Sequence, residues 1–241
     1  MSVTMPVMTP AQTAGWLALL DLHGRLPEGW TLVGGQMVHL HCAERGAFPT
    51  RPTEDADAVL DVRARPDILD AFTTALDELK FHPLGETLEG HQHRWVKDLA
   101  QIDVLIPNGI GEKAAKRTGA WGGTTLQTPG AQQALNRSRE VEVVVADRTG
   151  LVPCPNMLGA LVAKAAAGTV SQDSNRTRHL TDFAVLTTLI RPSDGIDTAT
   201  KRDRHRLTQM IDALVADRRT LLAVEGAQGG LDTLRLALEI A

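Results

Sequence analysis

Three aspartates carry the chemistry that can be read from this sequence. Asp55 and Asp57 flank Ala56 in a run, residues 55–63, whose side chains alternate as they do along a strand. Residues i and i+2 of a strand point the same way, so both carboxylates face one side. Two like charges held that close repel unless a cation sits between them, and hard oxygen ligands of this kind suit Mg2+. The plainer reading is a solvent-facing acidic pair at a strand start. Asp103 stands alone within residues 101–106, a run that otherwise reads as buried. A lone carboxylate there needs a partner, whether an arginine such as Arg94, a lysine, hydrogen-bond donors or a metal. If the two strands are neighbours, three carboxylates converge, as a two-metal phosphoryl-transfer site requires.

The elements that must position these acids follow from pattern and punctuation. Residues 10–24 read as a helix capped by Thr9, and residues 31–33 as a short buried strand ending at Gly34-Gly35. Residues 36–44 have helical spacing, with Gly46 as the stop. Glycines between a strand and a helix let a phosphate approach the backbone, where the helix N-terminus offers free N–H groups; a plain tight turn is the competing reading. Two prolines keep residues 47–53 irregular. A helix is expected over 66–79 and strands over 80–83, 92–97 and 101–106, then a long irregular stretch over 108–130. Within that stretch Trp121-Gly122-Gly123-Thr124-Thr125 reads either as a flap over a bound nucleotide or as a plain loop. A β-branched strand over 140–146, a turn over 147–150 and a return strand at 151–152 complete the first half. Helices are then expected over 157–167, 178–190, 202–216 and 231–240. The resulting fold class is α+β, a mixed sheet flanked by helices and followed by a helical half, with a domain boundary near residue 153 (1–153 and 154–241).

Composition narrows the possibilities. The chain has 241 residues, 43% of them hydrophobic and 22% charged, as in ordinary folded domains. Its net charge is −4 and its pI about 6.1, which argues against a protein that coats nucleic acid non-specifically. Basic residues nevertheless cluster at Lys113, Lys116 and Arg117, at Arg137 and Arg139, at Arg176 and Arg178, and from Lys201 to Arg206. No apolar run is long enough to span a bilayer and the N-terminus has no basic signal region, so a cytoplasmic protein is expected. Cys42 and Cys154 read as packing residues. The His39/His41 and His91/His93 pairs complete no zinc set.

The order Gly34-Gly35, Asp55-x-Asp57, Asp103 resembles the nucleotidyltransferase (polymerase-beta-like) superfamily. More closely, Arg51-x-Thr53-Glu54-Asp55-x-Asp57 is similar to the Arg-x-Ser/Thr-x-Asp-x-Asp signature of the AbiEii-type toxin nucleotidyltransferases. Leu161-Val162-Ala163-Lys164-Ala165 and Arg178-His179-Leu180-Thr181-Asp182-Phe183 match that family's helical lysine and basic-to-aspartate segments. The likeness covers roughly residues 30–190. The chain departs from the pattern in two ways. The Gly35-to-Asp55 gap is long, suggesting an insertion near 43–52, and His179 stands where many relatives have an aspartate.

That resemblance implies transfer of a nucleoside monophosphate from an NTP to an acceptor, with Mg2+ or Mn2+. Gly34, Gly35, Gln36, Arg51, Thr53 and Lys164 would bind nucleotide, and Asp55, Asp57 and Asp103 the metal, with Asp103 a possible base. Lys164 would neutralise phosphate charge. Asp182 would orient Lys164 or the acceptor, against a competing salt bridge to Arg178 four residues earlier. The implied acceptor is an RNA, such as a tRNA 3′ end, or a protein, and the implied partner an antitoxin. Nucleotidylation of a small molecule such as an antibiotic, and a catalytically silent binding protein, are the alternatives.

Overall fold

The computed structural model describes residues 2–168 and 176–239. Helix α1 (Pro10–Arg25) opens with Thr9 and Gln12 in a reciprocal capping box, and packs Trp16, Leu19 and Leu22 inward. Strand β2 (Trp30–Val33) is buried at every position and runs directly into α2 (Gly34–Arg45), which ends on a left-handed Gly46. Strand β3 (Ala56–Leu60) follows an irregular connection, then α3 (Ile68–Glu78), β4 (His82–Pro83), β5 (Arg94–Lys97) and β6 (Ala100–Pro107). The main sheet is ordered β2-β3-β6-β5-β4, with β3 antiparallel to β2 and parallel to β6.

Alternation along β3 and β6 sorts the faces of the sheet. Ala56, Ala58, Ile102 and Val104 pair across the strands and turn into the main core with α1 and α3. Asp57 and Val59, paired with Asp103 and Leu105, turn to the opposite face. The stretch read as irregular over 108–130 contains a short α4 (Glu112–Ala115) and a three-residue β7 (Leu126–Thr128) parallel to the end of β6. Strand β7 was hidden because a parallel partner three residues long leaves no period to detect. Trp121 is pinned on the core side by Asp77 of α3, 3.1 Å from its indole N–H, and by the edge of Trp95, so this segment is no flap over Asp57.

The short α5 (Ala131–Leu135) leads to an antiparallel hairpin, β8 (Ser138–Val145) and β9 (Arg148–Pro155), with β1 (Val3–Thr4) parallel to β8. The hairpin turn is only Ala146 and Asp147, not 147–150. Gly150, which suggested the longer turn, lies within β9, where an added Cβ would meet Leu20 of α1 at 3.1 Å.

Beyond β9 the described residues are helical: α6 (Met157–Gly168), α7 (Arg176–Thr188), α8 (Lys201–Ala216), α9 (Arg218–Ala223) and α10 (Ala227–Ala237), with two 3-10 turns before α8. Helix α9 was missed. Helix α10 starts four residues before the expected 231, because Gly230 lets it approach the Thr187 backbone within 2.6 Å of a would-be Cβ. The expected end at 240 lies outside the described residues. One connected core runs from Met5 to Leu238, and a smaller cluster of Val33, Val59, Ala131 and Ala134 covers part of the opposite sheet face. No helix among the described residues is long and apolar enough to cross a membrane.

The two halves are fastened by Arg137, which donates to the buried Asp203 at 2.7 Å, while Asp203 also closes the α8 capping box with Thr200. Arg137→Ala removes a charged partner from a buried carboxylate that keeps its Thr200 donors. It is expected to cost about 1–3 kcal/mol, read from the urea midpoint.

Candidate active site

The turn from β2 into α2 supplies the floor of the cleft. Gly34 has φ +68°, and a Cβ there would stand 1.7 Å from Asp57 Oδ2. A Cβ on Gly35 would lie 2.7 Å from the Thr53 side chain. Both glycines are therefore required by contact with the acidic segment, the first also by its backbone conformation. The cap residue of α2 is Val33, which makes no side-chain cap hydrogen bond.

Residues 51–55 are held from several directions. The Thr53 carbonyl accepts from the side-chain amides of Gln12 and Gln36, both at 2.9 Å, and Trp16 donates to Gln36 Oε1. The Gln36 side chain is thus spent on the scaffold. The Thr53 hydroxyl donates to Asp55 Oδ1 at 2.8 Å, fixing the first carboxylate. His39 contacts the Arg51 carbonyl at 3.0 Å, and burial lowers the imidazole's pKa. Gln12 and Trp16 were not singled out from the sequence, and His39 was weighed only as half of a pair that completes no zinc set. Gln and His on apolar helices carry no spacing signal.

Arg51 reaches away from this segment to α7. Its Nε and Nη2 donate to the two oxygens of Asp182 at 2.8 and 2.7 Å. Lys164 Nζ, on α6, donates to Asp182 Oδ2 at 2.7 Å. Lys164 and Asp182 are 4% and 3% exposed, so each charge requires the other. Burial pushes the Asp182 carboxyl up, but Lys164 and Arg51 outweigh it and hold the pKa below the ordinary value. The expected orienting contact between Asp182 and Lys164 is present. Its oxygens go to Lys164 and Arg51, rather than to the Arg178 that spacing suggested.

Of the three sequence-predicted aspartates, Asp57 and Asp103 share one sheet face, while Asp55 lies just before β3. Asp57 and Asp103 are directly paired residues of β3 and β6, and Asp55 lies two residues before Asp57. Burial, then Asp55 and Asp103, raise the Asp57 pKa to about 7 against the pull of Lys164 and Arg51. Asp103 is only 7% exposed and its oxygens accept from Arg94 Nε and Nη2 at 2.9 and 2.8 Å. The arginine partner considered from sequence is thus the contact seen. Among the described residues, no group of three or more His, Cys, Asp or Glu side chains is arranged to hold a metal ion. Asp55 is close enough to act on Asp57 electrostatically, and Mg2+ commonly takes one or two carboxylates, completing its shell from water and substrate phosphates.

Two hollows flank this pair. One, of about 510 Å³ including its open mouth, is lined by Gly34, Asp57, Lys164, His179 and apolar residues including Val59 and Leu105. The other, of about 1240 Å³ on the same measure, is lined by Thr53, Glu54, Asp55 and the arginines 51, 94 and 178. Cys42 and Cys154 lie apart as fully buried packing residues, and burial raises both thiol pKa values, that of Cys42 to about 12.

This architecture is a nucleotidyltransferase-like fold. It is similar to the crystal structure of an antigenic nucleotidyltransferase-like protein from Paracoccidioides brasiliensis, with a TM-score of 0.55 and 16% identity over 93% of this chain and 94% of that one. A second similar structure is the solution structure of the antibiotic-resistance factor ANT(2'')-Ia, with a TM-score of 0.47 and 13% identity over 88% of this chain and 97% of that one. No family model matches the chain, and no curated protein matches it by sequence.

Gly34→Ala is expected to displace Asp57 and remove activity, with far-ultraviolet circular dichroism confirming that the fold persists. Asp57 also has a signed pH signature. Its pKa rises from 3.8 to about 7 on folding, so its contribution to stability is fully present below about pH 4 and lost as pH rises through about 7. In EDTA, Asp57→Asn should therefore melt above the parent protein at pH 8, with the gap closing toward pH 4. A gap independent of pH would contradict this.

Proposed function

We propose that the protein is a nucleotidyltransferase that uses Mg2+ or Mn2+ to move a nucleoside monophosphate from an NTP to an acceptor. The observation that carries this reading is Asp57 held against the Gly34-Gly35 turn, with Asp55 and Lys164 close enough to act on it electrostatically. In this reading the triphosphate lies beside Asp57, toward the backbone N–H groups of Gly34, Gly35 and Gln36 at the start of α2. Lys164 draws negative charge from the phosphates without leaving Asp182. The acceptor hydroxyl oxygen attacks the α-phosphorus, the bond to the bridging oxygen breaks, pyrophosphate departs, and the hydroxyl proton passes to solvent water. A divalent ion on Asp55 and Asp57 would supply charge neutralisation and alignment of the reacting oxygens. Arg51 and Thr53 serve by holding Asp182 and Asp55 in place. In this division of labour, residues 1–153 form the catalytic domain, and the helices from 154 onward bring Lys164 and Asp182 to the cleft.

The wider hollow is the acceptor side, and its three arginines against Glu54 and Asp55 favour an anionic acceptor. An RNA such as a tRNA 3′ end fits that chemistry better than a protein side chain. A toxin restrained by a cognate antitoxin is the biological role the sequence resemblance supports.

The test supplies Mg2+, each labelled NTP in turn, total tRNA, protein extract and candidate antibiotics. Label is expected on RNA, absent with Asp55→Ala or Asp57→Ala, and reduced about 10²-fold or more with Lys164→Ala. Label on protein would replace RNA as the acceptor, and label on the drug would make the enzyme an antibiotic nucleotidyltransferase. No label, with no NTP binding by calorimetry, would make it a silent binding protein.

A further inference from the structure

Three residues stand side by side on adjacent strands of one sheet face. Asp57 on β3 pairs with Asp103 on β6, and Asp103 pairs with Arg94 on β5. Paired residues share a face, so the order across the sheet is carboxylate, carboxylate, guanidinium. Arg94 meets Asp103 as a planar fork, two N–H groups on two oxygens. The Gln101 amide, with its oxygen turned inward, accepts from the same guanidinium at 3.0 and 3.3 Å. Arg94 is thereby fixed rather than swinging free. Its charge also acts on Asp55 and Asp57.

We propose that Arg94 is the resident counter-charge of Asp103, so that the cleft takes one divalent ion, on Asp55 and Asp57, and Arg94 stands where a two-ion site would place the second. This rests on the metal-dependent reading above. A divalent ion bridging Asp57 and Asp103 would have to displace a bidentate guanidinium from both oxygens of Asp103 and then sit beside its positive charge. Two hard-ligand positions remain on Asp55 and Asp57, and the other ligands come from water and substrate. Asp103 accordingly positions Arg94 and is neither an ion ligand nor a proton acceptor. Arg94 keeps its outward edge in the hollow lined by Asp55 and Arg178, where it contributes fixed positive charge to the acceptor side.

The test counts Mn2+ on the full chain by electron paramagnetic resonance titration, with no nucleotide present, so its readout is independent of turnover. The parent protein is expected to bind one ion. Arg94→Gln, which frees Asp103 and keeps a side chain of similar reach, is expected to bind two. Arg94→Lys, which keeps the charge, is expected to stay at one, and Asp57→Asn to bind none. Circular dichroism verifies the fold of each variant, and Arg94→Ala serves as a second charge-removing variant should Arg94→Gln fail to fold. Two ions on the parent protein would overturn the proposal, because Arg94 then yields to metal. One ion on both parent and Arg94→Gln would also overturn it while leaving the metal-dependent reading intact. No binding by any of the four would remove both.

Discussion

The cleft depends on how closely the β2–α2 turn approaches the acidic segment. Two consecutive positions without side chains let Asp57 and Thr53 lie against backbone, with no space for even a methyl group at either. That contact brings the α2 N-terminus, with its positive dipole end and no side-chain cap, beneath the carboxylate. The pairing of Val33 with Asp57 makes the approach a property of the sheet itself, because shifting the register by one residue would turn every acid to the core face.

The charges around that contact are arranged in opposition. Asp55, Asp57 and Asp103 accumulate negative charge on the sheet face, while Lys164, Arg51 and Arg94 surround it with positive charge drawn from α6, the 47–55 connection and β5. Asp182 stands behind the first two cations and keeps them ordered while their field still reaches Asp57. The long connection between α2 and β3 is thus a working part. Its carbonyl at Thr53 is tied to α1 and α2, and its guanidinium to α7.

Most of this was legible in the sequence where local chemistry decides it. The Thr9 cap and the Gly46 stop gave α1 and α2 within one or two residues, while the alternation through Asp55 and Asp57 found β3 but ran three residues past its end at Leu60. Lys164 and Asp182 were both named through a family resemblance. What could not be read were contacts set by tertiary packing. Gly150 closed the expected turn and Gly230 fell just outside the expected last helix, yet each sits inside an element at a point where a neighbour presses close. Arg94 was one possible partner for Asp103 among several. Only the antiparallel register of β5 and β6 makes it the bidentate one. Gln12 and Trp16 act from 41 and 20 residues away on Thr53 and Gln36, a separation no motif encodes.

The buried Lys164–Asp182 pair has a consequence for how such a chain would age under relaxed selection. Losing Asp182 would strand a buried lysine, and losing Lys164 would leave the buried carboxylate to the part-exposed Arg51 alone, so folding by itself would tend to preserve the pair. Asp55, nearer to solvent and fastened through a single hydroxyl, has no such insurance and would be among the first to drift. Across descendants of this protein, the more exposed aspartate is therefore the better witness of a living enzyme, and the buried lysine the poorer one.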